Sequence, residues 1–338
     1  MKAWQLHGFG LENLRMTSDL PVPQPGPREL LLRISAVSLN YRDKLVAEGF
    51  YNPDVRFPMI QVADAVGEIV ETGKDVSRFQ KGDRVITLYA TKWMDGEPQG
   101  DENTHTLGST ISGALAEYIV LDENAAVLAP QYLSDAEAAA LPCAAVTAWY
   151  ALVEKGRLKE GQTVLVQGTG GVSLFGLQIA SALGATVIVT SSSDEKLERA
   201  KKLGAAFGIN YARVPAWESE VLKLTSGKGV DHILEVVGGK SLGQSLKAIK
   251  PGGQIAVIGL LDGAMSEIPL FSLFKKQAVL RGISTGPRRA LEEMTQAFRD
   301  RLHLHPVIDR IYQFDDAISA YEHLYCGTFG KIVIRVRE

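Results

Sequence analysis

Residues 163–210 restrict the folds open to this chain more than any other stretch. TVLVQG (163–168) is a short aliphatic and β-branched run, followed by TGG and then by VSLFGLQIASALG (172–184), which reads as a helix closed by Gly184. TVIVTS (186–191) is again strand-like, and DEKLERAKKLG (194–204) is again helical, ending in Gly204. HILEVVG, SLGQSLKAIKPGG, QIAVIG and AVLRGIS continue the series through residue 284. Strands this apolar need cover on both faces, and helices between them join them in parallel. The pattern predicts an α/β fold built on a doubly wound parallel sheet of the Rossmann type.

The glycine turn after the first of these strands is where such a sheet takes a ligand. Gly168, Gly170 and Gly171 let the chain turn tightly and bring its backbone close to a pyrophosphate. The helix that follows adds free N–H groups and the positive end of its dipole. The third position of the G-x-G-x-x-G pattern is Ser173. Serine is the next smallest residue, so a slight displacement of the helix is expected rather than loss of the site. In this strand–loop–helix–strand setting the turn predicts a dinucleotide cofactor.

A chain selective for NAD carries Asp or Glu about 20 residues further on, for the ribose 2′-hydroxyl. Here the second strand ends in Ser191, Ser192 and Ser193, which can donate to a 2′-phosphate, and Lys196 supplies positive charge. The nearest acid, Asp194, is placed to cap a helix starting at Glu195. These residues predict NADPH (NADP) rather than NADH. The other reading of the serines is a polar loop without a ligand.

Outside this region the chain reads differently. ELLLRISAVSLN (29–40), AVGEIVETG (65–73), GDRVITLYA (82–90) and GALAEYIVL (113–121) are strands cut by Gly, Pro and Asp, as in an antiparallel barrel or sandwich. SDAEAAALPCAAVTAWYALVEKG (134–156) reads as an Ala-rich helix with Ser134 as cap and Glu137 three residues on. The tail, a helix near 289–302 and then strand, helix and strand, is expected to pack back on the first segment. The domains predicted are a β-rich catalytic domain, 1–125 with 286–338, and a Rossmann NADP-binding domain, 126–285.

With 338 residues and a net charge of −3, the chain offers no global basic surface, so nucleic acid is not expected as a partner. No run approaches about 18 apolar residues, so no membrane span is expected, and MKAWQLHGFG has no leader-like apolar core. Two cysteines, Cys143 and Cys326, form no disulfide framework, which predicts a reduced, cytoplasmic protein.

PMIQVADAVGEIVETGKDVSRFQKGDRV (58–85), GALAEYIVL, LPCAAVTAW, VLVQGTGGVSLFGLQIA and FGKIVI together resemble the medium-chain dehydrogenase/reductase superfamily. NYRDKL (40–45) resembles its zinc-independent quinone oxidoreductase and alcohol dehydrogenase-like branches. The resemblance spans essentially the whole chain and implies a GroES-like catalytic domain beside the Rossmann domain. It carries the cofactor site onto Gly168, Thr169, Gly170, Gly171 and Val172, onto Ser191, Ser192, Ser193 and Lys196, and onto Tyr211 in GINYA. It adds Val237, Gly238, Gly259, Leu260 and Lys331, each of which is equally open to ordinary strand-end geometry. It also implies a homodimer or homotetramer joined through the edge of the Rossmann sheet.

Zinc-dependent members hold their metal at positions matching Asn40, Ala63 (beside Asp64) and Cys143. Only the cysteine is a good ligand, and a catalytic zinc needs three from the protein. Residues 88–112 contain no cysteine for a structural zinc lobe, and no zinc is expected. Cys143 then reads as a buried thiol. Without a metal, hydrogen-bond donors must meet the oxyanion that develops on the substrate. By resemblance the substrate cleft lies between the domains, lined by Asn40, Tyr41, Arg42, Tyr51 and Thr147, with Asp43 ordering the turn. Tyr41 is either a proton donor or a packing residue, and the loop 89–112 shapes the pocket. The substrates implied are small-molecule quinones, enones or activated carbonyls. The alternatives are an NAD(P)-dependent alcohol/aldehyde dehydrogenase and, from another class, a low-turnover NADPH-binding structural or nucleic-acid-binding protein.

Overall fold

The structure, a computed structural model, describes residues 1–100 and 102–337; Asp101 of the 89–112 loop and Glu338 at the end of the expected catalytic domain lie outside the described residues. By contacts the chain divides into Met1–Val146 with Thr285–Glu338, and Thr147–Ser284. Residues 126–146 thus group with the first unit rather than with the nucleotide-binding segment, because they pair and pack on its strands.

In the first unit β1 (Ala3–Leu6), β2 (Leu14–Thr17) and β4 (Met59–Ile60) form a small antiparallel sheet in the order β2-β1-β4. The larger sheet is built around β3 (Glu29–Leu39), which leads into the short helix α1 (Tyr41–Ala47). β5 (Asp64–Thr72) pairs antiparallel with β3, then β6 (Arg84–Thr87) with β5 and β8 (Ala126–Leu128) with β6, while β7 (Tyr118–Asp122) pairs with β3. Ser134 and Glu137 form the expected capping box at α2 (Asp135–Ala139), with Ser134 N–H donating to Glu137 Oε2 at 2.9 Å. Beyond it the expected single helix is irregular. Pro142 has no N–H to donate, and the turns at 141–145 widen to π-helix, narrow at α3 (Val146–Trp149), and widen again over 150–155.

The second unit is the parallel sheet, made of β9 (Thr163–Gln167), β10 (Thr186–Ser191), β11 (Phe207–Asn210), β12 (Val230–Glu235), β13 (Ile249–Val257) and β14 (Val279–Gly282). Its order is β11-β10-β9-β12-β13-β14, the doubly wound arrangement in which the order reverses beside β9. Its helices are α4 (Gly171–Ala182), α5 (Asp194–Lys202), α6 (Trp217–Leu224), α7 (Ser241–Ala248) and α8 (Leu270–Lys276). Leu165, Ile188, Ile233 and Ile255 pack with Leu242 and Leu246 in a buried core, each such side chain contributing about 1.5–3 kcal/mol.

The tail supplies α9 (Arg288–Ala297), β15 (Ile308–Gln313), α10 (Ala317–Cys326) and β16 (Lys331–Arg335). β16 pairs antiparallel with β3, with Ile332 opposite Leu39, and β15 pairs with β16, so the tail extends the larger sheet beyond β3. Among the described residues, no helix is long and apolar enough to cross a membrane.

Candidate functional site

The glycine turn stands where β9 ends. Gly168 has φ +73°, and a Cβ at Gly168 or Gly170 would meet nothing within 4 Å, so this side of the turn is open to a ligand. Gly170 caps α4 with no side chain on the helix N–H groups, which leaves them for an anion. Ser173, the departure from the glycine pattern, is buried, and its hydroxyl donates to Gln167 O at 2.6 Å. Close packing of α4 on the sheet falls instead to Gly176, where a Cβ would stand 2.3 Å from Leu234 Cδ1. Thr169 is buried and Val172 half-buried. The turn fits the pyrophosphate of a dinucleotide.

At the end of β10, Ser191 Oγ accepts from Ser193 N–H at 3.2 Å and Ser193 Oγ accepts from Lys196 N–H at 3.3 Å. Ser193 is therefore the cap of α5. This corrects the expectation for Asp194, which is the first helical residue, because the helix begins one position earlier than Glu195. The Asp194 carboxylate accepts from Asn210 Nδ2 at 2.7 Å and pairs with Arg213. Tyr211, half-exposed, is tied to the same strand end by its N–H to Ser191 O at 3.0 Å. The structure therefore brings Ser191, Ser193, Lys196 and Tyr211 together with the exposed Ser192, and adds Arg213.

Val237 and Gly238 follow β12, and Gly259 and Leu260 follow β13. Their loops meet backbone to backbone: a Cβ at Gly259 would lie 2.0 Å from Val236 O, and one at Gly238 would lie 2.9 Å from Gly259 O. Beneath them is a carboxylate that sequence reasoning missed. Glu235, fully buried, accepts from the N–H groups of Val237 (3.1 Å) and Gly238 (3.0 Å), from Gln167 Nε2 (2.8 Å), and from the hydroxyls of Ser241 and Ser245. A charge at the end of the otherwise apolar run HILEV was its only signal.

In the first unit Asn40, Asp64 and Lys331 converge through sheet register: Ser38 lies opposite Asp64 across β3 and β5, and Leu39 opposite Ile332 across β3 and β16. Lys331 Nζ, almost wholly buried, donates to Leu39 O at 2.7 Å and Asn40 Oδ1 at 2.6 Å, and stands 3.7 Å from Asp64 Oδ2. Asp64 also accepts the Cys143 N–H at 3.2 Å. Burial pushes the Asp64 carboxyl up to about 6, against the pull of Lys331 and Asn40. Asn40 Nδ2 and Asp64 Oδ1, both buried, make no hydrogen bond of good geometry, although the Asn40 amide lies close enough to pull the Asp64 carboxyl down. Asp43 accepts the Asn40 N–H at 2.8 Å and so fixes the first turn of α1; burial raises its carboxyl above the ordinary range, opposed by Arg42.

Tyr41 is half-exposed, with Lys44 Nζ 5.6 Å above its ring. Arg42 is buried, its guanidinium donating to Gly108 O at 3.0 Å and to Leu107 O, which ties α1 to the 89–112 loop. The same guanidinium lies 4.8 Å from the ring centre of Tyr89 and 5.8 Å from that of Tyr51, and the two tyrosine hydroxyls are 2.6 Å apart. Thr147, which groups with the second unit, is buried and its hydroxyl has no partner.

The positions that the resemblance matches to the ligands of zinc-dependent members do not supply a zinc set. Asn40 Oδ1 is already engaged by an ammonium, Ala63 offers no ligand atom, and Cys143 with the adjacent Asp64 makes at most two of the three protein ligands a catalytic zinc needs. Among the described residues, no group of three or more His, Cys, Asp or Glu could hold one.

Two family models match the chain: an alcohol dehydrogenase GroES-like domain over residues 26–131 and a zinc-binding dehydrogenase domain over 171–300. The zinc-type alcohol dehydrogenase-like protein C1773.06c of Schizosaccharomyces pombe is 41% identical over 97% of this chain and 96% of its own. The quinone oxidoreductase of Pongo abelii is 28% identical over 99% of this chain and 97% of its own. The solved structure of a Sinorhizobium meliloti 1021 protein, 50% identical, superposes with a TM-score of 0.94 over 99% of this chain and 98% of that one. The chain belongs to the medium-chain dehydrogenase/reductase superfamily and is an NAD(P)-dependent oxidoreductase.

Proposed function

We propose that the protein is a zinc-independent, NADPH-dependent reductase of quinones and of α,β-unsaturated or otherwise activated carbonyls. The observation that carries this reading is the Lys331 ammonium on Asn40 Oδ1 and Leu39 O, beside Asp64, at positions the resemblance matches to the metal site of zinc-dependent members. Oxidising a simple alcohol requires a strong base or a metal to take its proton, whereas reducing an electron-poor carbonyl or alkene needs only polarisation and a proton.

Gly168, Thr169, Gly170, Gly171 and Val172 would hold the pyrophosphate, with Val237, Gly238, Gly259 and Leu260 lining the remainder. Ser191, Ser192, Ser193, Lys196 and Tyr211 would receive the 2′-phosphate. In support, β10 ends in Ser191 rather than an acid, and the adjacent Asp194 is neutralised by Arg213 and Asn210. The bound nicotinamide supplies the hydride. Asn40 Nδ2 and the Tyr41 and Tyr51 hydroxyls are the donors for the substrate oxygen, Asp43 holds the turn that presents the first two, and Thr147 Oγ1 is a further donor in the second unit. Lys331, assigned to the cofactor by resemblance, acts in this reading by fixing Asn40. Two unpaired cysteines support a cytoplasmic setting.

We also propose a homodimer or homotetramer. β14 is the outer strand of the parallel sheet, and the neighbouring α8 exposes Leu270, Phe271 and Phe274. A second copy pairing edge to edge satisfies the open backbone groups and covers these side chains.

Initial rates with NADPH and a panel of quinones, enones and aldehydes, and with NADP and alcohols, test the reading. Quinone or enone reduction is expected. Turnover of alcohols alone would favour the dehydrogenase alternative, to which the name of the fission-yeast relative leans. Saturable NADPH binding with no turnover would favour the structural one.

A further inference from the structure

We propose that Tyr89 and Arg42 make Tyr51 the proton donor to the substrate oxygen, Tyr89 as a positioning residue that donates its hydrogen bond to Tyr51, and Arg42 as the cation that holds both rings. The proposal rests on the reading of Tyr51 as a substrate contact and extends it to two residues that no comparison assigns.

The direction of the 2.6 Å Tyr51–Tyr89 hydrogen bond follows from burial. Tyr89 is 2% exposed and Tyr51 is 38% exposed. Among the described residues, the Tyr89 hydroxyl is bonded to Tyr51 alone. If Tyr51 donated, the Tyr89 proton would be buried with no acceptor, an arrangement that costs a full desolvation penalty. With Tyr89 donating, the only uncommitted proton is that of Tyr51, which is open to water or substrate. Burial also drives the Tyr89 phenol well above its ordinary range, so Tyr89 keeps its proton and remains a donor.

Arg42 completes the arrangement. Its guanidinium is fixed by the carbonyls of Leu107 and Gly108, and its charge is only partly met by Asp43, whose Oδ1 is 3.6 Å from Nε. It faces the Tyr89 ring at 4.8 Å and the Tyr51 ring at 5.8 Å. Gly108 makes the loop's approach possible, since a Cβ there would lie 2.5 Å from Val62 N.

The chemistry balances. A bound reduced nicotinamide would supply the hydride of the new C–H bond, with the electron pair of the broken π bond passing to the substrate oxygen. That oxygen takes the Tyr51 proton. The phenolate left on Tyr51 accepts the Tyr89 hydrogen bond, lies in the field of Arg42, and recovers a proton from solvent. For an enone the protonated product is an enol, which tautomerises to the saturated ketone. Run backwards, the same groups take a proton from an alcohol, so the arrangement can be tested in whichever direction the enzyme turns over.

The test compares wild type with Tyr51→Phe, Tyr89→Phe and the double variant on the best substrate found in either direction. Tyr51→Phe is expected to lower kcat about a hundredfold. Tyr89→Phe is expected to lower kcat about tenfold with KM unchanged, the scale of one lost hydrogen bond. The double variant is expected to match Tyr51→Phe, because Tyr89 acts only through Tyr51. Unchanged melting temperature and NADPH binding in each variant separate this from misfolding. Wild-type kcat in either single variant overturns the proposal, as does a Tyr89→Phe loss that multiplies fully onto that of Tyr51→Phe. If the best substrate is an alcohol, the reductase reading fails while the relay is still decided by the same ratios.

Discussion

Lys331 and Asp64 show how one buried pair orders a strand end. The ammonium ties Leu39 and Asn40 of one chain segment to Asp64 of another, so the Asn40 side chain is held in place. The cost lies with Asp64. Its carboxyl is pushed up to about 6 from an ordinary 3.8, mainly by burial. The folded protein therefore keeps a proton that the unfolded chain releases between those values. Stability from this group is fully present below 3.8 and lost as pH rises through about 6. Measured by denaturant unfolding, wild type is expected to lose roughly 3 kcal/mol relative to Asp64→Asn between pH 4 and 7. A difference that does not vary with pH contradicts this environment for Asp64.

At the scale of elements, the strand–turn–helix of β9 and α4 carries the proposed nucleotide site, and Gly176 sets how closely α4 lies on the sheet. Gly176→Ala places a methyl 2.3 Å from Leu234 Cδ1. Overpacking of about 1–3 kcal/mol is expected to outweigh the gain of up to about 1 kcal/mol in helix propensity. The urea midpoint should fall, and the loss should be less than additive with Leu234→Ala; an unchanged midpoint contradicts the close approach. This element was largely legible in the sequence, because glycines at a turn and serines at a strand end act locally. The exchange of cap between Asp194 and Ser193 was not, since both residues are good caps one position apart. Neither was the role of Gly176, because nothing local marks which helical glycine faces Leu234. Tyr89 and Glu235 went unseen for a different reason. Tyr89 meets Tyr51 and Arg42 only once α1 and the 89–112 loop are folded together, and Glu235 is satisfied by donors from β9, α7 and its own loop.

At the scale of the whole molecule, the fold leaves β14 at the edge of the parallel sheet, and among the described residues no group of three or more His, Cys, Asp or Glu could hold a metal. The edge predicts assembly. Light scattering should give a dimer or tetramer, and Phe271→Glu with Phe274→Glu should release smaller species that still bind NADPH. A monomeric wild type contradicts the edge-to-edge pairing. The central claim is hydride transfer from NADPH without a metal, and one measurement tests it most directly. Protein dialysed against a strong chelator, and shown to be metal-free by elemental analysis, is assayed for NADPH and NADH oxidation with the preferred quinone or enone. The account predicts a rate equal to that of untreated protein and a kcat/KM for NADPH exceeding that for NADH by roughly tenfold or more, the scale of one charge-assisted phosphate contact. Activity lost on dialysis and restored by zinc, or a preference for NADH, would contradict it.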